Sequence, residues 1–329
     1  MIQRPGVRQG TRINYGCGWD IILPPNWSMA FWLACIYRGA RAAGVRELQS
    51  LALEQRMSYF PNDYPDTPAG QLHETNLAEQ LKSKFDKRPP AKRCNYVKLG
   101  ICEPFSYPWE ALIKSWNNGD TESRWENMYV LRDNKALKVI GQLFNTKKIS
   151  FNRNTNLKSL NNGSRNKVEI NENELSQVFS DYKQSIIHIE VKMVFRGVPD
   201  EHAVICIPTS TDLETLAKQK SFDGPKEPVH KDTEKKLKKK KKMSHTVSKE
   251  QSTESVEEKG IRNSCSRDII GYVNHGGFSF ASGNGIGLGF CSLAGLHKLL
   301  KQSSEYRALV LVRNPSSYQY RFAYMSVII

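Results

Sequence analysis

The chain has 329 residues, 39% of them hydrophobic, and carries 48 Lys and Arg against 33 Asp and Glu, a formal net charge of +15. That length holds one large core or two domains, and the longest apolar patch, MAFWLACIY at 29–37, is too short to span a bilayer. Cys17, Cys35, Cys94, Cys102, Cys206, Cys265 and Cys291 form no CxxC pair and no zinc-like spacing, so the thiols are expected to be reduced and intracellular. The opening MIQRPGVRQGTR is polar and lacks the apolar stretch of a signal peptide. Residues 226–259 hold the lysine run, yet eleven basic and seven acidic side chains leave them at +4 and the rest of the chain at +11. Basicity spread over the folded parts points to a polyanionic partner.

In chain order, Asp20–Leu23 reads as a short strand ended by Pro24 and Pro25. Asn26 can cap a helix running to Tyr37, whose apolar content predicts burial, and Gly39 and Gly44 mark its end. Arg38, Arg41 and Arg46 follow at once. FPNDYPDTPAG is a turn-rich connector, and Thr67 with Pro68 is a cap and first-turn pair. The helix behind it places Leu72, Leu77, Leu81 and Phe85 roughly on one face and runs into a segment with seven basic residues between 82 and 98 against one Asp86. Residues 117–128 and 145–174 are polar and predict surface loops around the helix WEALIKSW and the strand MYVLR.

SIIHIEVKMVFRG alternates as a strand, AVICIP is a second, and Thr211 with Glu214 suggests a capping box. After the charged stretch 221–262 come DIIGYV as a strand, glycine bends with His275 in an exposed turn, IGLGF as a strand, a helix capped by Ser292, and two final strands. His188 and His202 sit in strand contexts as local structural residues. Gly283, Gly285, Gly287 and Gly289 alternate with Asn284, Ile286, Leu288 and Phe290. A dinucleotide loop needs GxGxxG between a strand and a helix, so this spacing reads instead as a strand whose glycine face lies against something bulky. No nucleophile–base pair emerges.

The stronger functional signal is cationic. Arg38, Arg41, Arg46, Lys87, Arg88, Lys92 and Arg93 stand among Tyr, Trp and Pro, with Arg321 added from the last strand. Guanidinium forks suit phosphate contacts and aromatic rings stack on unpaired bases. Lys235–Lys242 reads as a solvated tail or a localisation signal.

The stretches GWDIILPPNWSMAFWLACIYRGARAAG, FPNDYPDTPAG and KRPPAKRCNYVKLG resemble the POPLD region of the Pop1 family, large protein subunits of eukaryotic ribonuclease P and ribonuclease MRP. DIIGYVNHGGFSFASGNGIGLGFCSLAGL and LVLVRNPSSYQYRFAYMSV resemble that family's C-terminal part. The resemblance implies an α+β fold with mixed sheets and packed helices, similar to the aminomethyltransferase fold of the glycine cleavage T-protein. The acidic constellation with which the T-protein binds tetrahydrofolate is not found here, so no cofactor is expected. A flexible start at 1–13, a POPLD-like region at 14–116 and a variable linker at 117–185 are expected. A strand-rich part at 186–220, a disordered Lys-rich insertion at 221–262 and a Gly-rich C-terminal part at 263–329 complete the division.

The resemblance further implies a non-catalytic scaffold that binds ribonuclease P RNA and ribonuclease MRP RNA and docks other protein subunits. It would support 5′-leader removal from precursor tRNA and precursor rRNA processing, in the nucleus and nucleolus and away from membranes. Family members carry a long basic region before the POPLD part, so a fragment or shortened form is expected. Two other readings stay open: a folate-dependent one-carbon transferase and a purely protein-binding scaffold. Fold likeness alone carries no function across.

Overall fold

A computed structural model of the chain describes residues 1–4, 6, 15–117, 128–145, 172–219, 222–230, 260–302 and 306–329. The loops expected within 118–127 and 146–171, the Lys235–Lys242 tail and most of residues 1–13 lie outside the described residues. The chain divides into a unit at Met1–Tyr59 and a unit at Phe60–Ile329.

In the first unit, β1 (Ile2–Arg4) pairs antiparallel with β2 (Gly18–Asp20), and Arg4 Nε donates to Asp20 at 2.6 Å. Helix α1 spans Ser28–Tyr37 and α2 spans Val45–Gln55. Two expectations change here. Trp27, not Asn26, occupies the cap of α1, and no side chain bonds its free N–H groups. No residue of α1 is buried: Trp32 is 49% exposed and Tyr37 86%. An all-round apolar helix usually marks a core, and here it presents itself as surface.

The second unit is built around a sheet. Strands β3 (Tyr129–Val130), β4 (Ser185–Met193), β5 (Val204–Cys206), β6 (Ile269–Ser279), β7 (Asn284–Ser292), β8 (Leu309–Arg313) and β9 (Arg321–Val327) order as β3-β4-β7-β6-β5-β8-β9. β4 also pairs with β9, from Ile189↔Val327 to Met193↔Ala323, so six antiparallel strands close on themselves as a barrel. β3 joins β4 in parallel outside the ring. Closure removes free sheet edges. Ile189, Val191, Phe290, Val310 and Phe322 are all at most 1% exposed, each burial contributing on the order of 1.5–3 kcal/mol. The α+β class expected from the sequence holds.

Helices α3 (Pro68–Asp86), α4 (Trp109–Trp116), α5 (Asn134–Asn145), α6 (Glu172–Asp181), α7 (Ser210–Lys218) and α8 (Leu293–Leu300) complete this unit. The core continues from the barrel into α4, α5 and α8 through Leu112, Ile113, Ile140, Leu296 and Leu299. Trp116 donates its indole N–H to Ile269 O at 2.8 Å and carries Arg262 over its ring at 3.8 Å. Local signals set several helix starts as expected: Thr67 Oγ1 accepts from Gly70 N and Ser292 Oγ from Gly295 N. The capping box of α7 is Thr209 with Asp212 rather than Thr211 with Glu214, because Thr209 is the residue with extended backbone ahead of the first turn.

Gly285, Gly287 and Gly289 bear out the packing reading, whereas Gly283 precedes β7 with open space at its Cβ position. His275 lies not in an exposed turn but inside β6, beside a bulge between Val273 and His275. The strand therefore runs through its glycines instead of bending at them. A Cβ on Gly289 would stand 2.8 Å from Val273 Cα and closer still to Tyr272 O. One on Gly285 would stand 2.9 Å from Val198 Cα. Gly289→Ala is accordingly expected to cost about 1–3 kcal/mol of unfolding free energy, read as an earlier urea midpoint with an unchanged slope.

Candidate nucleic-acid interface

The densest predicted cluster sits where α3 ends. The helix is seated along its length. Asp66 accepts from Val130 N at 3.1 Å and Arg132 Nη2 at 2.7 Å, and Glu74 accepts from Tyr107 N at 2.8 Å. Burial raises the Glu74 carboxyl pKa, partly offset by that backbone donor. Leu77, Leu81 and Phe85 are half-buried as the periodicity suggests, while Leu72 is exposed.

Pro89 and Pro90 forbid further helix, and the chain turns through Pro90–Lys92. Behind the turn, Phe85, Tyr96 and Phe105 meet pairwise with centroids 5.4–5.7 Å apart. This aromatic trio holds the cationic segment against the fold. Lys87, Arg88 and Lys92 are exposed, and their side chains make no hydrogen bond or ion pair among the described residues. Burial pushes the Cys94 thiol and the Tyr96 hydroxyl up in pKa, and the Arg88 guanidinium facing both pulls against it.

Arg93 belongs to a different task. Its Nε donates to Arg88 O at 2.8 Å, its Nη2 to Asp86 O, and its guanidinium lies over the Phe85 ring at 5.7 Å. The last carbonyls of a helix lack partners and attract cations, so Arg93 is spent on closing α3. Arg93 thus differs from Lys87, Arg88 and Lys92 in that its guanidinium is already bonded to backbone carbonyls. Lys82, Lys84 and Lys98 are exposed in the same segment and extend the cationic surface beyond the predicted residues.

The remaining predicted residues fall elsewhere. Arg38 is the C-cap of α1, Arg41 follows it and Arg46 opens α2, all three exposed in the first unit. Arg321 opens β9 in the second unit, half-buried, with Nη1 3.4 Å from Arg196 O. Among the described residues no group of three His, Cys, Asp or Glu stands close enough to hold a metal ion, and no helix is long and apolar enough to cross a membrane.

Comparison with known proteins accounts for both ends of this arrangement. Residues 18–109 match the POPLD (NUC188) domain and residues 185–329 the POP1 C-terminal domain, together more than two thirds of the chain. The human Ribonucleases P/MRP protein subunit POP1 is 27% identical over 99% of this chain and 41% of its own length. The fission yeast subunit of that name is 40% identical over 30% of this chain and 15% of its own. The Saccharomyces cerevisiae subunit is 23% identical over 94% of this chain and 36% of its own. The chain thus spans less than half the length of each of these relatives. With both of its domains matched, and in this order, the chain belongs to the POP1 family.

Proposed function

We propose that this chain is a non-catalytic, RNA-binding scaffold subunit of ribonuclease P and ribonuclease MRP. The observation that carries the reading is the run Lys87, Arg88 and Lys92, uncompensated cations on a proline-stiffened turn held by an aromatic trio. Cations without ion pairs of their own meet phosphates without first breaking any, and they release counterions on binding. The partners are the RNAs of the two ribonucleoproteins, with precursor tRNA reaching the chain inside the assembled enzyme. The site of action is the nucleus and nucleolus.

A second surface supports the docking of other protein subunits. Helix α1 exposes Phe31, Trp32, Leu33 and Ile36, and residues 15–37 carry a single charged side chain, Asp20. A short helix with that face gains stability mainly from packing, and a surface without cations suits a protein rather than a polyanion.

The test is a salt titration of the purified chain on ribonuclease P RNA. Each phosphate contact contributes about 0.7–0.9 to the slope of log K against log salt. The triple variant Lys87→Ala, Arg88→Ala, Lys92→Ala is expected to flatten that slope by about two to three units and to weaken binding roughly 10- to 100-fold at moderate salt. Arg93→Ala, in contrast, should lower stability more than the salt slope. A triple variant that binds with the wild-type slope would remove the segment from the interface.

A further inference from the structure

The β6–β7 hairpin ends in two uncovered aromatic rings. Phe280 is 92% exposed and Phe278 49%, with centroids 5.3 Å apart and planes at 81°. Neither exposure follows from disorder of the tip. Ser279 Oγ accepts from Ser282 N at 2.9 Å and meets Ser282 Oγ at 2.8 Å, and Gly283 N donates to Ser279 O at 2.8 Å. Gly283, at φ +66°, takes the left-handed turn position. The turn is thus ordered by its own hydrogen bonds and presents the phenylalanines outward.

A cation packs on the loop that covers the hairpin at Gly285. Phe278 pairs with Gly285 across the hairpin, so their Cα–Cβ directions share one face of the sheet. The loop after β4 lies on that face: a Cβ on Gly285 would stand 2.9 Å from Val198 Cα. The same loop carries the Arg321 side chain, whose Nε is 2.9 Å from where a Gly197 Cβ would be. Arg321 donates to Arg196 O and has no carboxylate partner among the described residues, whereas the neighbouring Arg196 is neutralised by Asp223. Around Phe278, Gly276, Gly277, Gly283 and Gly285 offer no side chains, so the ring faces stay open to a flat ligand.

Two perpendicular rings, at the end of the sheet where the 197–198 loop packs against Arg321, match the needs of a nucleotide, a planar base with a phosphate. An apolar protein knob would leave Arg321 desolvated and uncompensated. We propose that the hairpin tip is a stacking site for an unpaired RNA base, with Phe280 and Phe278 holding the base and Arg321 its phosphate. This rests on the RNA-binding reading above and adds to it a preference for single strands.

The probe is a fluorescein-labelled oligouridine dodecamer, with a duplex of equal length as comparison, titrated with the full chain. Phe280→Ala is expected to weaken oligouridine binding roughly 5- to 100-fold. Its salt slope, its duplex affinity and its urea midpoint should stay unchanged, since an exposed ring supports no core. Arg321→Ala should weaken the same probe and also flatten the slope by about 0.7. Oligouridine affinity equal to wild type in Phe280→Ala overturns the stacking site while leaving the RNA reading standing. Equal losses on single strand and duplex overturn it too. If the wild-type chain binds neither RNA, both readings fall together. Unaltered RNA binding with lost capture of a purified partner subunit would reassign the tip to protein recognition.

Discussion

Replacing Glu227 with alanine is expected to lower the unfolding free energy of the chain by about 3–5 kcal/mol, the cost of removing one partner from a buried charged network. Glu227 is 3% exposed and accepts four hydrogen bonds: from Ser266 N at 2.8 Å, Ser266 Oγ at 2.6 Å, Tyr320 Oη at 2.7 Å and His230 Nε2 at 2.6 Å. Beyond Tyr320 lies Arg313, fully buried, with its guanidinium 5.2 Å from the tyrosine ring centre and Nη2 2.9 Å from Cys265 Sγ. Truncation leaves donors unsatisfied and takes a buried countercharge from that guanidinium. The strap bearing Glu227 matters for the interface as well. Glu227 N reaches Tyr318 O at 2.8 Å and His230 N reaches Lys98 O at 3.0 Å, at the end of the cationic segment. Loss of the network should therefore also weaken RNA binding, without the flattened salt slope that marks a lost phosphate contact.

The pH dependence of that network has a definite sign. Burial pushes the Glu227 carboxyl up, but the bonds from Ser266, Tyr320 and His230 outweigh it and hold the pKa below its ordinary 4.5. A depressed carboxylate stabilises above its unfolded value, and the contribution is lost as pH falls through the folded one. Glu227→Gln, which keeps shape and loses charge, should thus show less acid sensitivity below about pH 4.5 than wild type. Urea denaturation at neutral and acid pH measures both effects. An alanine variant within about 0.5 kcal/mol of wild type would show that the network contributes nothing to stability.

Glu227 also marks where sequence reading reached its limit. Residues 221–262 read as one charged linker, yet 222–230 dock through a buried acid, and nothing local distinguishes that glutamate from its solvated neighbours. Caps at Thr67 and Ser292 were legible because a cap is a local event between residues three apart. Spacing alone suggests Thr211 with Glu214 at the start of α7, whereas the extended backbone at Thr209 places the box at Thr209 with Asp212. The fate of α1 was not legible, since an all-round apolar helix looks the same whether it meets its own core or another molecule. The barrel was hidden for a related reason: β4 meets β7 and β9 across roughly a hundred residues or more, Ile189 pairing with both Gly289 and Val327, which no periodicity reports. In the candidate interface, composition located the cationic segment but not the division of labour inside it. Arg93 is set apart from Lys87, Arg88 and Lys92 by a contact with the helix end. The ring pair at 278 and 280 did leave a signal, two phenylalanines two residues apart where glycine-flanked β6 runs into its turn.

His202 should make the second unit acid-labile well above the carboxylate range. Its ring stacks on Tyr107 with centroids 4.3 Å apart and planes within 3°, and the residue is 6% exposed. Burial lowers its pKa from 6.5 to about 4, with a bond to Phe105 backbone acting weakly the other way. The folded state thus resists a proton that the unfolded chain accepts from about pH 6.5 downward. Stability is expected to fall as pH drops from 6.5 toward 4, by about 3 kcal/mol in all, and to level off below. His188, buried against Phe290, is also lowered by burial and adds in the same direction. His202 adopts φ 62°, a conformation that asparagine tolerates, so His202→Asn isolates the titration from backbone strain. That variant should lose stability at neutral pH through the vanished stack and show a shallower decline between pH 6.5 and 4. Parallel profiles for the two proteins would assign the acid response to other groups. The same stack connects the pH response to the interface. Tyr107 is tied to α3 through Glu74 and reaches Val273 O, at the β6 bulge, at 3.4 Å. Protonation of His202 should loosen the seat of the helix that carries Lys87 and Arg88. RNA affinity would then decline with acid even as the chain gains positive charge, the opposite of what counting charges predicts.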